Sequence, residues 1–256
     1  MSALRPEPPR LDTRRVLVVS PHLDDAVLSC GHLLATAHTG FVVTVFGGAP
    51  VHYPATGNDW DRRCGFGQGD DIVALRRAED SLALALLGVS GTTLDFVDRT
   101  YRDTKKYDLD AIAREIRGVI DSFAPTTVVA PLAILHADHK ASLAATLRLR
   151  EASDGRDWAV YAEFPYLWRE PDATVRRLST MRRSGYRLTA IPSTAIARNA
   201  KADALRAYKS QIVGLELAED IDRVAAASEL MWTLSDLAPL PLRAARWVGY
   251  RTGILK

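Results

Sequence analysis

The feature that most constrains the fold is residues 15–20, RVLVVS, a β-branched and aliphatic run without polar alternation. A strand with one wet face alternates apolar and polar residues, so a continuous run of this kind belongs to a strand covered on both sides. The next segments supply the cover. Residues 24–38 carry Ala, Val and Leu at helical spacing and stop before Gly40, and 41–46, FVVTVF, is strand-like again. A helix is then predicted over 71–87, with Ile72, Leu75, Leu82 and Leu86 on one face and Gly88 as its stop, and a strand at 94–97. A helix over 109–123, a strand at 126–130, a helix over about 138–151 and a strand from Trp158 continue the alternation. Beyond it the order loosens. TVRRLS at 174–179 and YRLTAI at 186–191 suit a hairpin, followed by helices over about 195–213 and 216–232. The pattern predicts an α/β, Rossmann-like fold: a mainly parallel sheet with right-handed crossovers and helices on both faces, plus a small C-terminal hairpin and helical extension.

With 256 residues, 47% of them hydrophobic, the chain can bury a sizeable core as one domain over 1–256. Residues 1–13 are rich in Pro and Arg, lack the apolar stretch of a secretory signal, and read as a flexible leader. Apolar runs stop short of the ~20 residues that cross a bilayer, so no membrane partner and a cytoplasmic location are expected. Lys plus Arg number 33 against 31 for Asp plus Glu, a net charge of +2 that creates no broad field for nucleic acid. A small-molecule partner fits better. Cys30 and Cys64 fall in no zinc-ligand spacing and are expected as reduced thiols. Residues 48–70 have no clear period, and a loop this long in a compact domain suggests a lid or substrate loop. Its Trp60, Tyr53 and His52 can stack on a ligand, but loop aromatics more often pack down, so they stay outside the candidate site. His32 and His38 are read as structural or exposed. No heptad or apolar stripe stands out, which leaves the oligomeric state open.

Open parallel sheets place ligands at the carboxyl ends of their strands. After the first strand comes SPHLDDA, and after the fourth comes HADH. Asp24 or Asp25 can cap the helix that starts there. Capping does not account for His22, nor for two adjacent carboxylates whose repulsion calls for a cation. His136 and His139 stand at i and i+3, with Asp138 as a cap between them. They can supply one or two nitrogen ligands and, with His22 and a carboxylate, complete a His, Asp, His set. Three protein ligands leave a coordination position open to water, as in catalytic zinc sites.

PHLDDAVLSCG followed by HADHKA resembles the two signature motifs of the PIG-L/LmbE-like N-deacetylases. Arg76-x-x-Glu79, Leu87-Gly88 and LDFVDRTYR extend the resemblance, which covers about residues 15–213. Leu23, Ala26, HADHK and Tyr208-x-Ser210-Gln211 are most similar to the branch that deacetylates glycopeptide antibiotics. The resemblance implies one zinc ion per chain and a small-molecule partner, an N-acetylglucosaminyl-type sugar in a natural-product pathway, that loses its acetyl group. Carried over by position, it makes His22, Asp25 and His139 the zinc ligands and Asp24 the general base. His136 then stabilises the oxyanion or assists departure of the amine, and Arg76 and Asp98 contact substrate. Bland readings stand beside these last two: Arg76 and Glu79 as a surface i, i+3 pair, Asp98 as a turn cap.

The sequence departs from the family pattern at Leu23 for the usual Pro, at Ala26 for the usual Glu, and at Ile134 where some members place a Tyr. Those changes keep a non-catalytic sugar-binding module in view. Two histidines and a carboxylate also describe non-haem iron(II) oxygenases, although those ligands usually sit on a β-barrel with His-x-Asp spacing. A Rossmann nucleotide binder lacks its Gly-x-Gly-x-x-Gly here.

Overall fold

The computed structural model describes residues 8–53, 58–150, 155–192 and 195–236. Seven strands form one sheet: β1 (Val16–Ser20), β2 (Gly40–Thr44), β3 (Ser90–Thr93), β4 (Thr127–Pro131), β5 (Asp157–Tyr161), β6 (Tyr186–Ile191) and β7 (Met231–Asp236), in the spatial order β3-β2-β1-β4-β5-β7-β6. Strands β1 to β5 pair parallel, while β7 runs antiparallel to both β5 and β6. Every residue of β1 is buried, and its side chains divide between two cores by the period of two. Leu17 and Val19 enter one cluster with Ile112, Ile116 and Leu147, and Val16 and Val18 enter the other with Leu28, Leu34 and Leu205. The continuous apolar run thus reflects burial on both faces.

The helices are α1 (Asp25–Thr36), α2 (Asp59–Arg63), α3 (Ile72–Leu86), α4 (Leu109–Phe123), α5 (Ala137–Arg150), α6 (Tyr166–Arg169), α7 (Pro171–Arg183), α8 (Arg198–Ala207), α9 (Lys209–Gly214) and α10 (Ile221–Ala226). None is long and apolar enough to cross a membrane. From β1 the chain steps to β2 on one side, and β4 lies on the other. The loops after β1 and β4 therefore part at their carboxyl ends, at the switch point where such sheets open a crevice.

Several expectations need correction. TVRRLS lies in α7, whose buried Thr174, Leu178 and Met181 keep a helical period that a six-residue window hides. β6 pairs with β7 instead, and the predicted helix over 216–232 shrinks to α10 before the chain turns into that strand. The C-terminal elements are thus the far edge of the main sheet. The strand predicted at 94–97 makes only isolated bridges, Phe46 with Asp95 and Gly48 with Val97. On α3 the buried face carries Val73, Arg76, Asp80 and Ala83, while Leu75, Leu82 and Leu86 are exposed. Hydrogen bonds of the polar residues orient this helix: Asp80 accepts from Tyr208 and Arg76 donates to Asp61. Of the predicted leader, residues 1–7 lie outside the described residues, and the next few are tied to the sheet, with Thr127 Oγ1 donating to the Asp12 carbonyl at 2.7 Å.

Helix α1 kinks at Cys30, where φ is −133° and ψ 17°. Just past the kink the amides of His32 and Leu33 donate to Glu229, which also accepts from Lys201 Nζ at 2.7 Å. Lys201 and Glu229 are both sealed from solvent. Removing one partner of such a pair strands a charge in the core, so Lys201→Met is expected to cost about 3–5 kcal/mol. The measurement is the urea midpoint, and an unshifted midpoint would show that the pair does not hold α1.

Candidate metal centre

The turn from β1 into α1 is closed by Ser20. Its hydroxyl donates to the His22 carbonyl at 2.6 Å and accepts from the Ala26 amide at 3.0 Å. Capping thus falls to Ser20, and Asp24 makes no cap hydrogen bond. Asp25 turns back instead, its Oδ2 accepting from the His22 amide at 2.9 Å. On the other side of the crevice His136 precedes α5 and His139 lies buried in its first turn. The three imidazoles meet, with centroids 5.0 Å apart for His22 and His136, 5.2 Å for His22 and His139, and 5.4 Å for His136 and His139. His22, His136 and His139 offer atoms within 4.8 Å of one another, a group able to hold a metal ion.

The ring nitrogens say more. His22 Nδ1 and His139 Nε2 each lie 3.2 Å from the same atom, Asp25 Oδ2. Their remote nitrogens face other carboxylates: His139 Nδ1 lies 3.0 Å from Glu163, and His22 Nε2 lies 3.2 Å from Asp138 and 3.3 Å from Asp98. A metal-binding histidine typically donates its outer N–H to a carboxylate and keeps the inner nitrogen bare. Both histidines fit that assignment. A second group, His22 with Asp98 and Asp138, also has ligand atoms within 4.8 Å. Asp138, however, already accepts from Tyr107, Arg102 and the Arg99 amide, so its lone pairs are largely committed. His22 and His139 meet at Asp25 across the crevice, and two imidazoles with one carboxylate are a donor set that suits zinc.

Charge balance in the crevice is uneven. Burial pushes the Asp24 carboxyl up to about 6, with the Asp25 charge adding to it. Burial would raise Asp25 too, but the flanking His139 and His22 outweigh it and hold Asp25 well below the usual carboxylate range. For His139 burial opposes protonation, yet Asp25 and Glu163 prevail and raise it to about 9. His136 is lowered to about 4 by burial and by the charges of His22 and His139, so it is neutral near pH 7. Its Nδ1 accepts from the Asp138 amide at 3.3 Å, which puts the remaining proton on Nε2.

A cavity of about 430 Å³ opens over these residues and is lined by Asp24, Asp25, His136, Arg76, Trp60 and Tyr166 among others. Arg76 is buried, donating to Asp61 at 3.1 Å and to the Tyr101 hydroxyl at 3.2 Å. It is not a surface partner of Glu79, which instead accepts from the Ser210 amide and hydroxyl. Asp98 caps its turn, Oδ1 accepting from the Thr100 amide at 2.6 Å, while Oδ2 faces His22 and the residue lines the cavity. In the loop at 48–70, whose residues 54–57 lie outside the described ones, Trp60 lines the cavity. Tyr53 packs down, bonded to Asp71 and the Val73 amide, and His52 is exposed. His32 is buried, its Nε2 beside the Ala227 carbonyl, and Cys30 and Cys64 are free thiols.

Sequence reasoning missed Glu163, fully buried behind His139, and took Asp138 for a cap although it faces His22. The position of Glu163, two residues past the end of β5, was an available signal: it occupies the same sheet edge as the two motifs.

Residues 17–149 match the model of the PIG-L family, described as GlcNAc-PI de-N-acetylase. The chain belongs to the PIG-L family. It is 29% identical over 261 residues to 2'-N-acetylparomamine deacetylase of Niallia circulans, a match covering 86% of this chain and 91% of that protein. Among solved structures it is similar to a triple mutant of a deacetylase of the teicoplanin biosynthetic pathway, with 31% identity and a TM-score of 0.72, covering 87% of this chain and 98% of that one. The zinc-inhibited form of a teicoplanin deacetylase matches at 28% identity with a TM-score of 0.70, over 87% of this chain and 98% of that one. Membership in the PIG-L family and the open, mainly parallel sheet speak against the non-haem iron(II) oxygenase reading.

Proposed function

We propose that this PIG-L chain removes the acetyl group from an N-acetylglucosaminyl-type sugar of a natural-product intermediate, using one zinc ion held by His22, Asp25 and His139. The convergence of two imidazole nitrogens on Asp25 Oδ2, each imidazole backed by a carboxylate on its far side, carries this reading. Zinc bound there supplies a Lewis acid for the acetyl carbonyl and brings the pKa of a coordinated water toward about 7.

The residues divide the remaining work. Asp24 has no cap to make, lines the cavity, and accepts the proton of the attacking water. His136, neutral with its proton on Nε2, donates a hydrogen bond to the acetyl oxygen as charge develops on it. Asp24, once protonated by the attacking water, lies in the cavity where the departing nitrogen must take up a proton. Asp24 therefore takes the water proton and returns it to the amine as the C–N bond breaks, giving acetate and a free amino sugar. Arg76 and Asp98 form part of the wall that meets the sugar.

The test is acetate release at one equivalent of zinc from 2'-N-acetylparomamine and from N-acetylglucosaminyl glycopeptides. Acetate and free amine in equal amounts are expected; no release from either class, with zinc bound, would favour a sugar-binding module instead. Glu163→Gln, which weakens the grip on His139 Nδ1, is expected to lower zinc affinity by about 10–100-fold. Competition with a chelator measures it, and wild-type affinity would deny Glu163 that supporting role.

A further inference from the structure

Tyr166 stands at the start of α6, three residues beyond Glu163. The Leu167 amide donates to the Glu163 carbonyl at 2.9 Å and closes this turn, so that Glu163 and Tyr166 approach His139 from one short segment. Glu163 holds Nδ1, and the Tyr166 ring stands edge-on to the imidazole, centroids 5.8 Å apart at 67°. The ring is half-buried against the core. Its hydroxyl has no hydrogen-bond partner among the described residues, and it lines the cavity.

Five other described tyrosines have protein partners. Tyr53, Tyr101, Tyr107 and Tyr208 bond to Asp71, Asp61, Asp138 and Asp80, and Tyr161 donates to the Val19 carbonyl. The Tyr166 hydroxyl is committed to no protein acceptor among the described residues and opens into the cavity beside His139, where a group of the substrate can reach it.

We infer that the Tyr166 hydroxyl is a second oxyanion donor beside His136, hydrogen-bonding the acetyl oxygen of the substrate in the cavity that both residues line. The inference rests on the deacetylase reading. An ordinary phenol titrates at about 10, so it keeps its proton throughout the neutral region. It donates without transferring that proton, and the bond strengthens as the carbonyl carbon becomes tetrahedral and its oxygen negative.

Tyr166→Phe keeps the ring and its packing and deletes only the donor. With the substrate found by acetate release, kcat is expected to fall by about 10²-fold, with KM, zinc content and the thermal midpoint little changed. A second readout needs no turnover: calorimetry with the methylphosphonamide of glucosamine, whose phosphorus is tetrahedral and bears an oxyanion, against glucosamine itself. The Phe variant should lose about the same factor for the phosphonamide and nothing for glucosamine. Wild-type kcat, or equal loss for both ligands, would overturn the role. Failure of the wild-type protein to release acetate would remove the deacetylase reading and this inference together.

Discussion

Replacing Asp24 by asparagine is expected to lower acetate release by about 10²–10⁴-fold while leaving one zinc per chain. The substitution keeps the size of the side chain and removes its basicity. Structural roles that would confuse the result are absent, because Ser20 closes the turn and Asp24 makes no cap bond. Asp25, next in sequence, is occupied by the His22 amide and the two imidazoles and cannot stand in for it. Burial and the neighbouring charge that make Asp24 unusually basic for a carboxylate also make the neutral amide easy to accommodate. The asparagine variant should therefore be as stable as wild type or more so. Near-normal turnover would assign the proton to another group, and lost zinc would make Asp24 a ligand.

His139→Ala carries the second large effect. It should reduce zinc affinity by more than the about 10–100-fold expected of a change behind a ligand, and turnover should fall to background. One complication is physical. Glu163 is fully buried, and its Oε1 faces His139 and the Ile134 amide while Oε2 has no partner. Deleting the imidazole leaves that carboxylate without its countercharge, so the single variant is also destabilised. Combining His139→Ala with Glu163→Gln removes the stranded charge. Stability should largely return in the double variant and zinc should not, a separation read by thermal midpoint beside elemental analysis. Recovery of zinc in the double variant would exclude His139 from the ligand set.

The parts of this protein legible in sequence are those set by short-range pattern. β1 declared itself by its unbroken apolar run, and the two motifs fell where the strand order switches sides between β1 and β4. Their meeting is a product of topology: His22 and Asp138 are 116 positions apart yet 3.2 Å in contact. Pairings set by distant partners were hidden. The β6 and β7 contact spans the whole of α8 to α10, so the β-branched residues in TVRRLS offered a nearer, false partner. The sequence left open a surface pairing of Arg76 with Glu79 because Asp61, which draws Arg76 inward, belongs to a segment of no readable period. On α3, leucines at Leu75, Leu82 and Leu86 suggested a buried face, but hydrogen bonds of Arg76 and Asp80 decide which side turns inward. Glu163 and Tyr166 act singly, with no periodic neighbours to mark them.

Every role assigned to these residues depends on where the cation binds. Anomalous scattering at the zinc edge, from crystals grown with one equivalent of zinc, locates it without reference to activity. A single peak bonded to His22 Nδ1, Asp25 and His139 Nε2 is predicted, with Asp24 beside it and Glu163 behind His139. A peak held instead by His22 Nε2, Asp98 and Asp138, or no ordered zinc in the crevice, would contradict it.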